Sequence, residues 1–168
     1  MGWIGGLLTM VAGIGMGLYA SHLLRRRVLF LETCNRLLQA LWQEMSYTAQ
    51  PLPDLWRRLA EYEAFSAFPL VQDTVAAWNG LPFSSAFAIA VQKAEEQGLA
   101  LPCVRQLLLE FADGCGHTDL AGQQAHMEYY RTLLAAQEKE SRRLWQEKGR
   151  MYRVLGFSAG VAAALLLM

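Results

Sequence analysis

Charge is distributed along this chain so that both ends lack any charged side chain. All 15 basic and 15 acidic residues lie between Arg25 and Arg153, although the chain has 168 residues. Apolar residues make up 54% of the sequence, which is more than a typical soluble domain carries, and the excess lies at the two ends. The middle alone reads as an ordinary soluble domain that is long enough to bury a core.

The first uncharged run covers residues 3–24. A transmembrane helix needs about 20 predominantly apolar residues to cross the hydrocarbon core of a bilayer. A cleavable signal peptide carries positive charge before its apolar region, whereas here Arg25, Arg26 and Arg27 follow it. We therefore predict that residues 1–24 form an uncleaved transmembrane helix, with the three arginines in the cytoplasm and the N-terminus outside.

The second uncharged run covers about 15 residues at the C-terminus. It is short for a membrane span, but Tyr152 can lie at the interface, and arginine side chains beside it can reach the headgroups. The basic residues Lys148, Arg150 and Arg153 lie on the domain side of this run, so both ends indicate the same orientation. We predict a transmembrane helix over residues 151–168. The alternative is a buried C-terminal core helix.

Between the two spans, residues 25–150 carry the pattern of a cytoplasmic all-α bundle. Apolar residues recur at steps of three and four, and no segment alternates with a period of two, so we predict no sheet. We expect about six helices, the first and last of which extend into the transmembrane spans. They are the first helix to near Tyr47, then about 54–63, Pro69 to Asn79-Gly80, about 84–97, Pro102 to Gly114, and Asp119 onward.

The apolar stripes of these helices identify the expected core. In chain order the inward positions are Leu31, Cys34, Leu37, Leu38, Leu41, Trp42, Met45, Leu55, Trp56, Leu59, Leu70, Val71, Val75, Trp78, Phe87, Val91, Ala94, Val104, Leu107, Leu108, Phe111, Cys115, Met127, Tyr130, Leu134, Gln137 and Leu144. His126 lies in the middle of the last helix, where we expect it at the surface or lightly packed.

One cluster has residue types that could perform chemistry: Cys115, His117 and Asp119. A thiolate, an imidazole and a carboxylate can bind zinc, and a Cys-His pair can act as a nucleophile. The same residues lie at a turn between two helices, where Gly114 and Gly116 would supply unusual backbone angles and Asp119 would cap the next helix. We favour the turn, and we keep a membrane-bound thiol or metal-dependent enzyme as the alternative.

Several functional classes lack their usual signals. The net charge is zero, without the basic patch of a nucleic-acid-binding protein. The three cysteines are scattered and odd in number, which disfavours a disulfide framework. No Walker A loop, GxGxxG, HExxH or GxSxG motif is present in the sequence. We therefore expect a non-enzyme without a cofactor, a metal or a small-molecule substrate.

Three stretches together resemble the stage III sporulation protein AB family of endospore-forming Firmicutes. The first is Glu-Met-Ser-Tyr at 44–47 with Pro-Leu at 51–52; the second is Gly-His-Thr-Asp at 116–119 with Gln-Gln at 123–124; the third is 151–157 with Gly160. The order and spacing fit along essentially the whole chain. The motif positions are Glu44, Tyr47, Pro51, Leu52, Gly116, Asp119, Gln123, Tyr152 and Gly156.

The resemblance implies a role in sporulation. Family members belong to a complex in the outer forespore membrane of the mother cell. Their soluble domain is similar to the cytoplasmic domains of the type II secretion inner-membrane platform protein. The expected partners are a secretion-type ATPase, stage III sporulation protein AA, and the other membrane components of the complex. The resemblance therefore predicts a scaffold that docks this ATPase. The sequence leaves open whether the protein forms a homo-oligomer. A generic membrane adaptor unrelated to sporulation is a further alternative function.

Overall fold

The computed structural model describes residues 2–47, 52–115 and 120–166. These residues form seven helices and no strand. The helices are α1 (Gly2–Tyr47), α2 (Leu52–Glu61), α3 (Glu63–Ser66), α4 (Pro69–Ala77), α5 (Phe83–Glu96), α6 (Pro102–Gly114) and α7 (Leu120–Leu166). The all-α prediction is confirmed. Among these residues, we find no helix that is both long and apolar enough to cross a membrane.

The predicted helix order is correct, with one addition. The single-turn helix α3 lies between the predicted second and third helices, and sequence periodicity could not indicate it because four residues do not complete two turns. Proline stands at the start of α4 and of α6, where its missing N–H costs nothing. Gly80 and Gly98 follow helices with φ of 81° and 70°, which a side chain would disfavour.

The expectation of unusual backbone angles at Gly114 is wrong, because only Gly80 and Gly98 have positive φ among the described glycines. Gly114 is the last residue of α6. A Cβ atom placed on it would lie 2.1 Å from Cε1 of His126. The absence of a side chain is therefore required by space, and not by backbone conformation. Gly116 lies outside the described residues.

The described chain divides into two compact units, residues 29–138 and residues 1–28 with 139–168. Unit 29–138 contains an apolar core to which each of the seven helices contributes, including the short helix α3 through Phe65. Its largest fully buried side chains are Trp56, Phe87, Phe111, Leu31, Leu37, Leu41, Leu55, Leu59, Leu70, Leu108, Leu134 and Val71. Every one of these was predicted to face inward.

Trp56 lies at the centre of an aromatic group in this core. Its side chain is 0% exposed, and its Nε1–H has no hydrogen-bond partner among the described residues. The rings of Phe83 and Phe87 stand edge-on to it, with centroids at 5.1 and 5.6 Å. Contacts of this kind stabilise aromatic pairs beyond their burial, and aromatic faces are weak acceptors for an N–H.

In the other unit, the N-terminal part of α1 lies beside the C-terminal part of α7. Gly149 is buried, and a Cβ atom on it would lie 3.3 Å from Oγ of Ser21 and 3.2 Å from Cδ1 of Trp145. Several large apolar side chains of this unit are nevertheless exposed: Val11, Met16, Leu18, Tyr19, Met151, Val154 and Leu155. An accumulation of exposed apolar side chains is typical of a surface that contacts lipid or another protein.

Candidate functional site

Glu44, near the end of α1, joins this helix to α2 and to the connection between α2 and α3. Tyr62, between α2 and α3, donates its hydroxyl hydrogen to Oε1 of Glu44 at 2.5 Å. Arg58 of α2 donates from Nη1 to Oε2 of Glu44 at 3.1 Å. The carboxylate therefore accepts one bond on each oxygen from a different part of the chain. We call Glu44, Arg58 and Tyr62 the Glu44 cluster.

The electrostatics of this cluster follow from its hydrogen bonds. The hydrogen bond from Tyr62 has the largest effect and lowers the pKa of Glu44. Burial raises this pKa by a smaller amount, and the hydrogen bond and charge of Arg58 lower it further. The same bond raises the pKa of Tyr62, because the hydroxyl proton is held by the carboxylate. Glu44 is thus ionised, and Tyr62 is a donor, across the physiological range.

Tyr47 lies one turn beyond Glu44 on the same face of α1, at the last residue of the helix. Its side chain is 89% exposed, which is the highest value among the large apolar residues whose exposure the structure describes. Tyrosine and arginine side chains are enriched at protein interfaces, so an exposed tyrosine beside this charged cluster is typical of a binding surface. In the first family stretch, Ser46 and Tyr47 are exposed, whereas Met45 and Leu52 pack partly buried against the core.

The remaining predicted positions are only partly described. Gln123 is half-buried on α7, while Pro51, Gly116 and Asp119 lie outside the described residues, as do the side chains of Tyr152 and Gly156. Of the basic residues flanking the proposed spans, Arg25, Arg26 and Lys148 are exposed and Arg27 is half-buried; the side chains of Arg150 and Arg153 lie outside the description.

The predicted Cys115, His117 and Asp119 cluster is represented by Cys115 alone, since the other two residues lie outside the described part. Cys115 is half-buried, and burial raises the pKa of its thiol to about 12. Such a thiol is protonated at neutral pH and is a poor nucleophile. Within the described residues, no three His, Cys, Asp or Glu side chains are arranged to hold a metal ion.

His126 is half-buried and packs against the end of α6, which is consistent with the lightly packed position that we expected as one of two possibilities. Its Nε2 lies 2.9 Å from the carbonyl oxygen of Phe111, to which it donates a hydrogen bond. The imidazole also stacks on the Phe111 ring, with centroids at 5.6 Å and an interplanar angle of 19°. Because the N–H of Cys115 bonds to Ala112 instead, His126 satisfies a carbonyl that the helix end leaves open.

Two depressions flank α7 in unit 29–138. The first, between α1 and α7, has a volume of about 320 Å³ and is charged. Its charges are paired internally: Arg36 with Glu32 at 2.6 Å and Arg131 with Glu128 at 3.0 Å. We call this the paired cleft.

The second depression lies between α6 and α7 and has a volume of about 350 Å³. The two helices run antiparallel here, since Sγ of Cys103 lies 3.5 Å from Oε1 of Gln137 at one end and Phe111 contacts Tyr130 towards the other. The lining includes Cys103, Leu107, Glu110, Leu133, Ala136 and Gln137. We call it the α6–α7 groove.

Sequence reasoning missed most of these arrangements. Arg58 and Tyr62 are 14 and 18 residues from Glu44, and nothing in a helical period relates positions that far apart. The α6–α7 groove is likewise built from two helices whose register is set by tertiary packing. Only the apolar residues that line this groove could have been identified from the sequence, because the apolar stripe of a helix indicates which side packs against another helix.

These features define the class of protein: a helical bundle with a charged cluster, a charged cleft and an apolar groove on its surface. In the described part of the bundle, we find no set of side chains arranged for catalysis. The chain matches the family described as stage III sporulation protein AB over residues 2–168. Because this match covers essentially the whole chain, the protein belongs to the stage III sporulation protein AB family, and it is a sporulation protein of stage III. No curated protein and no solved structure matches the chain.

Proposed function

We propose that this protein is a non-enzymatic membrane platform of the sporulation channel complex, and that its helical unit docks a secretion-type ATPase. The family match over residues 2–168 is the observation that carries the proposal. The expected ATPase is the one that resemblance to the family implies, stage III sporulation protein AA. The other membrane components of the complex are the further partners.

Two features of unit 29–138 support a docking role. The Glu44 cluster holds the end of α1 against α2, and the exposed Tyr47 lies beside it. A docking surface needs side chains that are already held in place, because ordering them on binding costs affinity. Catalysis by Cys115 is disfavoured by the raised pKa of its thiol, which keeps the sulfur protonated at neutral pH.

Membrane attachment is part of the same proposal. Residues 3–24 carry no charge, and the arginines that follow support a cytoplasmic position for the helical unit. The exposed Val11, Met16, Leu18 and Tyr19 are apolar or amphipathic, as lipid contact requires. In a sporulating cell, the membrane would be the outer forespore membrane of the mother cell, with both termini on the non-cytoplasmic side.

Binding of the ATPase by the full-length protein tests the docking role. The protein is reconstituted in lipid nanodiscs, and binding of the purified ATPase is measured by biolayer interferometry, with empty nanodiscs as the control. Saturable binding with and without nucleotide is expected. If the ATPase binds empty and loaded nanodiscs equally in all nucleotide states, the docking role is wrong.

The cellular role is tested separately by deleting the gene and following sporulation with a membrane stain. Completed engulfment followed by arrested or collapsing forespores is expected. Normal spore formation in a strain without a second copy of the gene would contradict a role in the channel complex.

The membrane topology needs its own measurement. Cysteine-reactive reagents that cannot cross the membrane are applied to intact cells that carry one added cysteine at residue 2 or at residue 81. Labelling at residue 2 and protection at residue 81 are expected. The reverse pattern would contradict the proposed orientation.

A further inference from the structure

The α6–α7 groove has an apolar floor and an open side. Leu107 of α6 and Leu133 of α7 are partly buried against the core, and Ala136 is exposed one turn further along α7. Tyr129 is 60% exposed and lies one turn before Leu133 on the same helical face. The four residues form a continuous apolar strip that the described chain does not cover.

The edge of this strip is acidic. Glu110 lines the groove, and Asp113 is exposed about one turn beyond it on α6. Glu110 accepts a hydrogen bond from Gln106 at 2.9 Å, but neither carboxylate forms an ion pair with a described residue. In the paired cleft, by contrast, arginines already neutralise glutamates. The uncompensated negative charge therefore lies at the end of the apolar strip where Tyr129 stands.

The length of the groove limits what can occupy it. Glu110 is seven positions after Cys103 on α6. At the rise of an α-helix, this spacing corresponds to a length of about 10 Å, or two turns. An amphipathic helix lying in a groove contacts it through side chains at i, i+4 and i+7, which span the same distance. A cation placed one turn beyond these anchors would meet Glu110 and Asp113.

From this geometry we propose that the α6–α7 groove binds an amphipathic helix of the partner ATPase, with two or three apolar anchors followed by a lysine or arginine. This assignment rests on the proposed docking function and specifies where docking occurs. A second copy of the chain using the same groove would bring two negatively charged groove edges into one interface. Such an isologous contact brings like charges together and is disfavoured.

Ala136→Arg tests the groove with little risk to folding. Ala136 is exposed on α7, and arginine has a helix propensity close to that of alanine. The new side chain fills the groove at the end away from Glu110, where the first apolar anchor of the bound helix would lie. Ala135→Arg is the matched control, because it makes the same substitution at the neighbouring exposed position, on the side of the paired cleft.

Binding of the ATPase to each full-length variant is measured in nanodiscs, and unfolding is followed by circular dichroism. We expect Ala136→Arg to raise Kd by at least about tenfold, and Ala135→Arg to change it by less than about twofold. Glu110→Gln is expected to slow association by several-fold at low salt and to have little effect at high salt.

The outcomes separate the two proposals. If the wild type binds and Ala136→Arg binds equally well, or Ala135→Arg is the variant that weakens binding, the groove assignment is wrong and the docking function stands. If the wild type itself does not bind, the docking function is wrong and the groove assignment is rejected with it. Should Ala136→Arg unfold, Glu110→Gln decides: an association rate unchanged at low salt rejects the acidic contact.

Discussion

Gly114 is the position where a single methyl group should test the packing of α6 against α7. An alanine Cβ there would lie 2.1 Å from Cε1 and 2.6 Å from Nε2 of His126, far inside any allowed contact. The imidazole must therefore move. When it moves, its bond to the Phe111 carbonyl and its stacking on the Phe111 ring are lost.

The expected change in unfolding free energy follows from three contributions. An acceptor left without its hydrogen bond costs about 1–3 kcal/mol. The lost aromatic contact adds roughly 0.5–1.5 kcal/mol. Replacing a helical glycine that has ordinary φ by alanine returns about 1 kcal/mol. Gly114→Ala should therefore destabilise the protein by roughly 0.5–3.5 kcal/mol, the sum of these ranges.

The same substitution should be harmless once His126 is gone. In a His126→Ala background no ring occupies the space, so Gly114→Ala should be neutral or stabilise by up to about 1 kcal/mol. Urea unfolding of the full chain in detergent, followed at 222 nm, gives all four free energies of the double-mutant cycle. If Gly114→Ala costs the same in both backgrounds, the steric argument is refuted.

Three further predictions concern the Glu44 cluster, the thiols and the core. Tyr62→Phe should raise the pKa of Glu44 towards its ordinary value, which an NMR titration of the carboxyl carbon measures. Because the folded pKa is lowered, the stability that Glu44 contributes is present above its unfolded pKa and should be lost as the pH falls through the folded value. Iodoacetamide at pH 8 should modify exposed Cys103 well before Cys115, as intact mass would record. Trp56→Ala should cost about 3–5 kcal/mol in urea unfolding.

Each of these has a clear contrary result. An unchanged Glu44 titration in Tyr62→Phe would mean that the hydrogen bond is not formed in solution. Equal labelling rates of Cys103 and Cys115 in the folded protein would contradict the shielded, protonated thiol. A cost below about 1 kcal/mol for Trp56→Ala would show that this side chain is not buried in a packed core.

Much of the fold could be read from local chemistry. Apolar positions at three- and four-residue steps identified six of the seven helices, because the face of a helix that enters a core must be apolar wherever the core lies. Pro69, Pro102, Gly80 and Gly98 marked helix ends, because the constraint or freedom of their backbones does not depend on the rest of the molecule. The family stretches were likewise readable without any structure.

The candidate sites were much less predictable. Glu44 stood out only through its family stretch, and nothing local indicated that Arg58 and Tyr62 would bond to its two oxygens. His126 was expected at the surface or lightly packed, and nothing local indicated which group it would contact. The open carbonyl at the end of α6 gave it a partner that only the packing of two helices supplies.

The sequence by itself thus determined the all-helical class, the helix ends and the identity of the core residues, because these depend on the chemistry of neighbouring positions along the chain. The tertiary structure decided which polar groups meet, why Gly114 has no side chain, and where the uncovered α6–α7 groove lies. Those features depend on the register between helices that are distant in the sequence. That register is set by how the side chains of the whole core fill space together.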